Sequence, residues 1–178
     1  MFDNDGVLSG WVRYLTDGTK KILKGSKSGI VGADAIRNLR TRKPVKVVFK
    51  TAGISDYLCL AGKISRLGLE ADYYTFTNGA GEMEKPDKFE PLLRPALERN
   101  TVVVIQDNDE AGEAGALRWA EAIAGYAQAV YIKKLPEVIF DYPIKDLRDF
   151  FAMDDSLNEN DTTFFQDLLY GMEVNNEN

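Results

Sequence analysis

The segment Thr101-Val102-Val103-Val104-Ile105 constrains this chain more than any other. Four consecutive aliphatic residues after a threonine have no polar alternation, as expected of a short strand covered on both faces. An alanine-rich stretch, Glu110 to Ala127, follows at once and reads as a helix. The same grammar recurs along the chain. Val45 to Phe49 is a buried-strand run leading to a helix over Ser55–Arg66, where Tyr57, Leu58, Ala61, Ile64 and Leu67 fall near helical spacing and Gly68 stops it. Tyr73 to Thr77 reads as a strand, Pro86 to Arg99 as helical, Ala129 to Lys133 as a strand and Lys145 to Met153 as a short helix. Strands alternating with helices over short loops predict an α/β fold, a compact parallel sheet flanked by helices. In such sheets functional groups gather at the carboxyl ends of the strands.

Upstream, Val7 to Leu15 has strand propensity, Thr16-Asp17-Gly18-Thr19 forms a turn, and Lys20 to Lys24 returns, so a basic β-hairpin is expected. A loop over Gly25 to Gly29 leads to a short helical stretch ending about Arg40. Three parts follow from this pass: a basic segment over 1–44, the α/β domain over 45–153, and an acidic linker with a docking or domain-joining helix over 154–178. The last part holds one apolar cluster, Phe164, Phe165, Leu168 and Leu169.

Composition narrows the chemistry. The chain has no histidine, which excludes Ser-His-Asp or Cys-His catalysis and imidazole-bound zinc. A single cysteine, Cys59, excludes an internal disulfide and a four-thiolate zinc site, and it reads as a small buried hydrophobe in a reducing cytosol. The sequence has no run of about 18 apolar residues that could span a membrane, and the acidic start is unlike a signal peptide, so a cytoplasmic protein without membrane partners is expected. Chemistry would rest on carboxylates, Lys or Arg, and a hard divalent cation. The net charge of −6 hides a gradient. Residues 1–50 hold 11 Lys/Arg against 4 Asp/Glu, and the remaining 128 hold 11 against 24. A basic arm on an acidic body suggests a phosphate-backbone contact on one side; plain solvation is the competing account of those lysines.

The strand Val102–Ile105 runs through Gln106 into Asp107-Asn108-Asp109-Glu110-Ala111-Gly112. Residues at i and i+2 of an extended chain point to the same side, and two such carboxylates repel unless a cation or a proton lies between them. A divalent-metal site is one reading; capping of the following helix is the other. An EF-hand loop beginning at Asp107 fails, because Ala111 and Arg118 occupy ligand positions. A haloacid-dehalogenase-like phosphatase also places Asp-x-Asp after a strand but continues differently.

Two further elements accompany this pair: Val47-Val48-Phe49-Lys50-Thr51-Ala52-Gly53-Ile54-Ser55-Asp56, and Leu135-Pro136 followed by Lys145-Asp146-Leu147-Arg148-Asp149-Phe150. In order and spacing the three resemble the TOPRIM domain, from about Val45 to Phe151. Asp107 and Asp109 match its Asp-x-Asp pair, and Gly53 and Asp56 match its first motif. The upstream segment, with Gly6, Gly10, Arg13, Lys20-Lys21, Lys27 and Gly29-Ile30-Val31-Gly32, is similar to the basic piece that precedes TOPRIM in bacterial and phage primases and primase-helicases. Asn78-Gly79-Ala80-Gly81 would be the loop after the second strand.

The resemblance implies RNA primer synthesis on a single-stranded DNA template from nucleoside triphosphates. Mg2+ or Mn2+ would be held by Asp107 and Asp109. Asp56 would orient water or a second metal, Lys145 and Asp146 would close the far wall, and Arg13, Lys24 and Lys27 would contact phosphates. A zinc-ribbon domain and a replicative helicase would lie outside this chain. One departure matters: the family's glutamate before Gly53 is Ala52 here. Alanine neither binds metal nor moves a proton, so the resemblance implies a core disabled at that position, by loss or, as the isolated change favours, by replacement. A non-catalytic nucleic-acid-binding TOPRIM module, a TOPRIM nuclease and a topoisomerase fragment are the alternatives; the primase-like upstream segment weighs against the last two.

Overall fold

A computed structural model describes residues 1–17, 19–27, 29–69, 73–78 and 86–157. A short antiparallel hairpin comes first, β1 (Val12–Tyr14) and β2 (Lys20–Ile22), with Val12 opposite Ile22, Arg13 opposite Lys21 and Tyr14 opposite Lys20. Helix α1 (Ala33–Leu39) leads to β3 (Val47–Lys50), α2 (Ile54–Arg66) and β4 (Tyr73–Phe76). A 3-10 turn over Pro86–Phe89 runs into α3 (Glu90–Leu97), then β5 (Thr101–Gln106), α4 (Glu110–Ala124) and β6 (Ala129–Lys134). A two-residue hairpin, β7 (Val138–Ile139) and β8 (Tyr142–Pro143), precedes α5 (Leu147–Leu157).

Four strands form one parallel sheet in the order β4-β3-β5-β6. Alternation divides their side chains between two layers. Val48, Val102 and Val104 pack with Ile36 and Leu39 of α1, Leu92, Leu93 and Leu97 of α3, and Trp119 and Ile123 of α4. Val47, Phe49, Val103 and Ile105 pack with Leu60 and Ile64 of α2 and Leu147 and Phe151 of α5. Both faces are therefore covered, as the unbroken apolar run of β5 requires. Cys59 lies on α2 against the second layer and is half-buried, less enclosed than expected.

The chain leaves β3 for β4 on one side and returns to β5 on the other, so the winding reverses between β3 and β5. Their carboxyl ends flank the crevice where open α/β sheets place ligands. The Asp107–Asp109 segment and position 52 both sit there.

Phe49 stacks near Tyr73 at 6.0 Å between ring centroids and is 1% exposed. Phe49→Ala is expected to cost about 3–5 kcal/mol. Leu117→Ala, on the exposed face of α4, should stay within about 0.5 kcal/mol. Urea unfolding of the two variants checks both.

Candidate functional site

Asp107 follows β5 directly, and its backbone presses on the first turn of α4. A Cβ on Gly112 would lie 2.6 Å from the Asp107 carbonyl oxygen and 2.7 Å from its Cβ, so the glycine of Asp-x-Asp-x-Ala-Gly is a packing requirement. Asp109 is the N-cap of α4: its extended backbone ends the loop, and Oδ1 accepts from the Gly112 amide at 2.8 Å. Its other oxygen lies 3.5 Å from the Nζ of Lys145, with both side chains substantially exposed. Capping, one of the two roles open for this pair from sequence, is thus the role Asp109 performs.

Between them, Asn108 acts as a clamp. Its amide N–H donates to the Lys145 carbonyl at 2.7 Å, and its side-chain nitrogen donates to Pro136 at 2.9 Å and Ile144 at 2.8 Å. Asn108 was not among the expected site residues. The available signal was the i+1 alternation, which turns this amide away from the two carboxylates and toward the β6–α5 connection.

Asp56 lies in the first turn of α2 and is only 4% exposed. Its Oδ1 is 3.6 Å from Nε of Arg148 and has no hydrogen-bond partner among the described residues. Burial raises the Asp56 carboxyl above the usual carboxylate range, the charge of Asp146 adds to this, and Arg148 and Lys20 oppose it. Asp146 is equally buried but has the opposite shift. Burial alone would raise it, yet the Arg148 side-chain hydrogen bond and backbone N–H groups of Asp149 and Arg148 together hold it below the usual range. Its Oδ1 accepts from the Arg148 amide at 2.9 Å and the Asp149 amide at 3.2 Å, and its Oδ2 accepts from the Arg148 guanidinium. Asp149 reaches back to the Lys145 amide at 3.0 Å, so the start of α5 is capped reciprocally. Arg148, which sequence reasoning also missed, is the cation shared by Asp56 and Asp146.

Ala52 lies in the β3–α2 connection, and its carbonyl accepts from the Thr77 hydroxyl at 3.2 Å. Lys50 pairs with Val104, so position 52, just past β3, and Asp107, just past β5, leave the carboxyl ends of neighbouring strands. The hairpin closes over the same end. A Cβ on Gly53 would lie 3.0 Å from Oδ2 of Asp56 and 3.8 Å from Nζ of Lys20. Burial raises the Tyr14 phenol, with the Ser55 hydroxyl opposing and the Asp56 charge adding. Tyr14 and Lys20 therefore face the body, while Arg13 and Lys21 take the opposite, outer face. Arg13, Lys24 and Lys27 are all exposed. Residues 79–81 of the expected loop and 158–178 of the acidic tail lie outside the described residues.

The Mg2+ implied by the resemblance finds a poor match. Among the described residues no three His, Cys, Asp or Glu side chains converge on a point suited to a metal. Position 52 offers no side-chain oxygen, one oxygen of Asp109 is occupied as a helix cap, and Asp56 and Asp146 share the single cation of Arg148. As they stand, these residues do not fit a multi-carboxylate cation site.

No protein-family model and no curated protein matches the chain. Its structure is similar to the primase fragment of the bacteriophage T7 primase-helicase protein, with a TM-score of 0.58 and 18% identity over 87% of this chain and 56% of that one. It is also similar to a chain in the structure of bacteriophage T7 lagging-strand DNA polymerase interacting with primase domains of two gp4 subunits bound to an RNA/DNA hybrid and dTTP. There the TM-score is 0.50 and the identity 14%, over 88% of this chain and 71% of that one. At these identities the likeness shows a shared fold alone, and the chain spans just over half of the primase fragment. Among the described residues no helix is long and apolar enough to cross a membrane.

Asp109→Ala is expected to cost about 1 kcal/mol through loss of the cap, whereas Asp109→Asn keeps a capping oxygen and most of the stability; denaturant midpoints distinguish them. Asp56 binds its proton more tightly folded than unfolded, so stability is lost as pH rises from the ordinary value of 3.8 through its raised folded value. Asp56→Asn removes that loss and should raise the melting temperature at pH 7 relative to wild type. A gain of about 1 kcal/mol corresponds to roughly 2–4 °C in a chain of this size. At pH 3, where the wild-type carboxyl is already protonated, the two proteins should melt together.

Proposed function

We propose that this chain is a primase-type TOPRIM module that grips single-stranded nucleic acid through its amino-terminal hairpin and does not itself catalyse nucleotidyl transfer. The outer face of the hairpin carries the binding half of this proposal. Trp11 and Arg13 alternate onto that face, with Lys21 directly across from Arg13. Trp11 is 60% exposed, and the Leu23 amide pairs with its carbonyl at 3.2 Å, so Leu23 lies beside it. An exposed indole beside the Arg13–Lys21 pair suits a stacked base with its phosphate next to it. Cross-strand like charges such as Arg13 and Lys21 also destabilise a hairpin, and a phosphate between them would relieve the repulsion. Lys24 and Lys27, both exposed, follow the hairpin and add to its positive charge.

The non-catalytic half rests on the crevice. Catalysis of the kind found in this superfamily would need a cation bridging nucleotide phosphates, and here the carboxylates cap helices and pair with Arg148 and Lys145. Ala52 supplies nothing to draw them back. A second possibility has one observation in its favour: position 52 and Asp107 follow the carboxyl ends of the paired strands β3 and β5. A carboxylate restored there could complete a metal site with Asp107 and Asp109, making the chain a primase core disabled at a single residue. A template-binding domain, nucleoside triphosphates and a helicase would then be partners of the larger assembly.

Binding is tested by anisotropy with a labelled single-stranded oligonucleotide. Trp11→Ala should weaken it by roughly 5- to 150-fold, matching a loss of about 1–3 kcal/mol for one stacked base, without a change in melting temperature. Catalysis is tested with Ala52→Glu, assayed for primer synthesis with Mg2+ and with Mn2+ in the presence of a template-binding domain. No synthesis by either form is the expected result. Synthesis by the variant alone establishes the disabled primase, and DNA cleavage by it establishes a nuclease.

A further inference from the structure

We propose a second nucleic-acid contact at the opposite end of the sheet, a basic patch of Arg40, Arg42, Lys43, Lys46 and Arg99. This extends the binding function proposed above and rests on it. Between Asp34 and Asp56 the chain carries six Lys/Arg and no acid, although the whole protein is at −6. The fold gathers most of that charge in one place. Arg40 to Lys46 make the connection from α1 to β3, and Arg99 stands in the neighbouring turn from α3 to β5.

The two turns are tied together. Nη2 of Arg99 donates to the carbonyls of Arg40 at 3.4 Å and Arg42 at 3.1 Å. Nη2 of Arg40 donates to Pro91 at 3.2 Å and Leu92 at 3.3 Å. Asn100 completes the join, accepting from the Val45 amide at 2.8 Å and donating to Ala96 at 2.6 Å. The patch is therefore a fixed platform, and binding to it requires little ordering of the chain.

All five basic residues are exposed, and none forms an ion pair with a carboxylate among the described residues. Each guanidinium has five N–H donors, so the carbonyl bonds leave several free for phosphate oxygens. Five like charges held this close repel one another, and a polyanion is the partner that removes the repulsion. A membrane surface suits the patch poorly, since no large hydrophobic residue is exposed in either turn. The patch is also distinct from the hairpin. Lys20 sits by Gly53 beyond the carboxyl end of β3, and Lys46 precedes its amino end. The four residues of β3 alone separate the two ends by roughly 13 Å, more than the screening length of about 8 Å at physiological salt. The two surfaces act as independent charges, joined only by a strand long enough to reach both.

The test uses the full chain and anisotropy with a 30-nucleotide single-stranded oligonucleotide across a salt series. Lys43→Gln/Lys46→Gln is compared with Lys24→Gln/Lys27→Gln; Lys43 and Lys46 form no side-chain hydrogen bond among the described residues, so folding should be untouched. Each lost phosphate contact lowers the log–log salt slope by about 0.7, so each double variant should lose about 1.4 and the quadruple variant twice that. An unchanged slope for Lys43→Gln/Lys46→Gln, with a reduced one for the hairpin variant, overturns the second contact and leaves the hairpin function standing. No binding by the wild-type chain removes both. Vesicles containing anionic lipid form a parallel arm: loss of vesicle binding by Lys43→Gln/Lys46→Gln with oligonucleotide binding intact also overturns the proposal, in favour of a membrane contact.

Discussion

Strand β5 hydrogen-bonds to β3 on one edge and to β6 on the other while both its faces are covered, and the location of the site follows from that confinement. A strand held on four sides can change direction only at its ends. Its carboxyl end falls where the winding of the sheet reverses, so Asp107, Asn108 and Asp109 enter a crevice that topology opens beside β3. Gly112 then allows α4 to start against the Asp107 backbone, and the Asp109 cap fixes that start. The three-residue turn thus takes its shape from packing and helix capping before any ligand is considered.

Much of this was legible in the residues because β5 and β3 are unmistakable: apolar runs buried on both faces, followed by helices with clear spacing. The position of the Asp-x-Asp turn at a strand end came from the same pattern. Its partners did not. Asn108 works through carbonyls of Pro136, Ile144 and Lys145, which are distant in sequence and carry no side-chain signal for the contact. Arg148 reads as an ordinary charge on a short helix, and only the approach of α5 to α2 shows that it serves two buried carboxylates. The β7–β8 hairpin was hidden for a local reason. Its turn residues are Phe140 and Asp141, at φ of 48° and 66°, where glycine or asparagine would have announced it.

Asp56 and Asp146 show how one cation is divided. Both are buried to the same degree, yet burial prevails at Asp56 and hydrogen bonding prevails at Asp146. The difference lies in the backbone. Asp146 stands just before α5 and collects two amide N–H groups along with the guanidinium, whereas Asp56 lies within α2 and meets Arg148 only edge-on at 3.6 Å. Arg148 is therefore anchored by Asp146, and Asp56 is held as an under-compensated charge at the junction of α2, α5 and the hairpin. Lys20, reaching over Gly53 from the hairpin, adds the remaining positive potential.

That last contact links the crevice to the basic arm. The face of the hairpin bearing Tyr14 and Lys20 is turned inward by its contacts with α2, and alternation then obliges Trp11, Arg13 and Lys21 to turn outward. Docking thus fixes which face is presented: it turns the Tyr14 and Lys20 side toward the body and leaves the indole outward. An acidic protein that holds an aromatic residue and its basic neighbours outward by this route keeps its positive surface away from its own carboxylates. Neutralising Asp56 would weaken the attraction that turns Lys20 inward, so the charge left over in the crevice also helps to aim the arm.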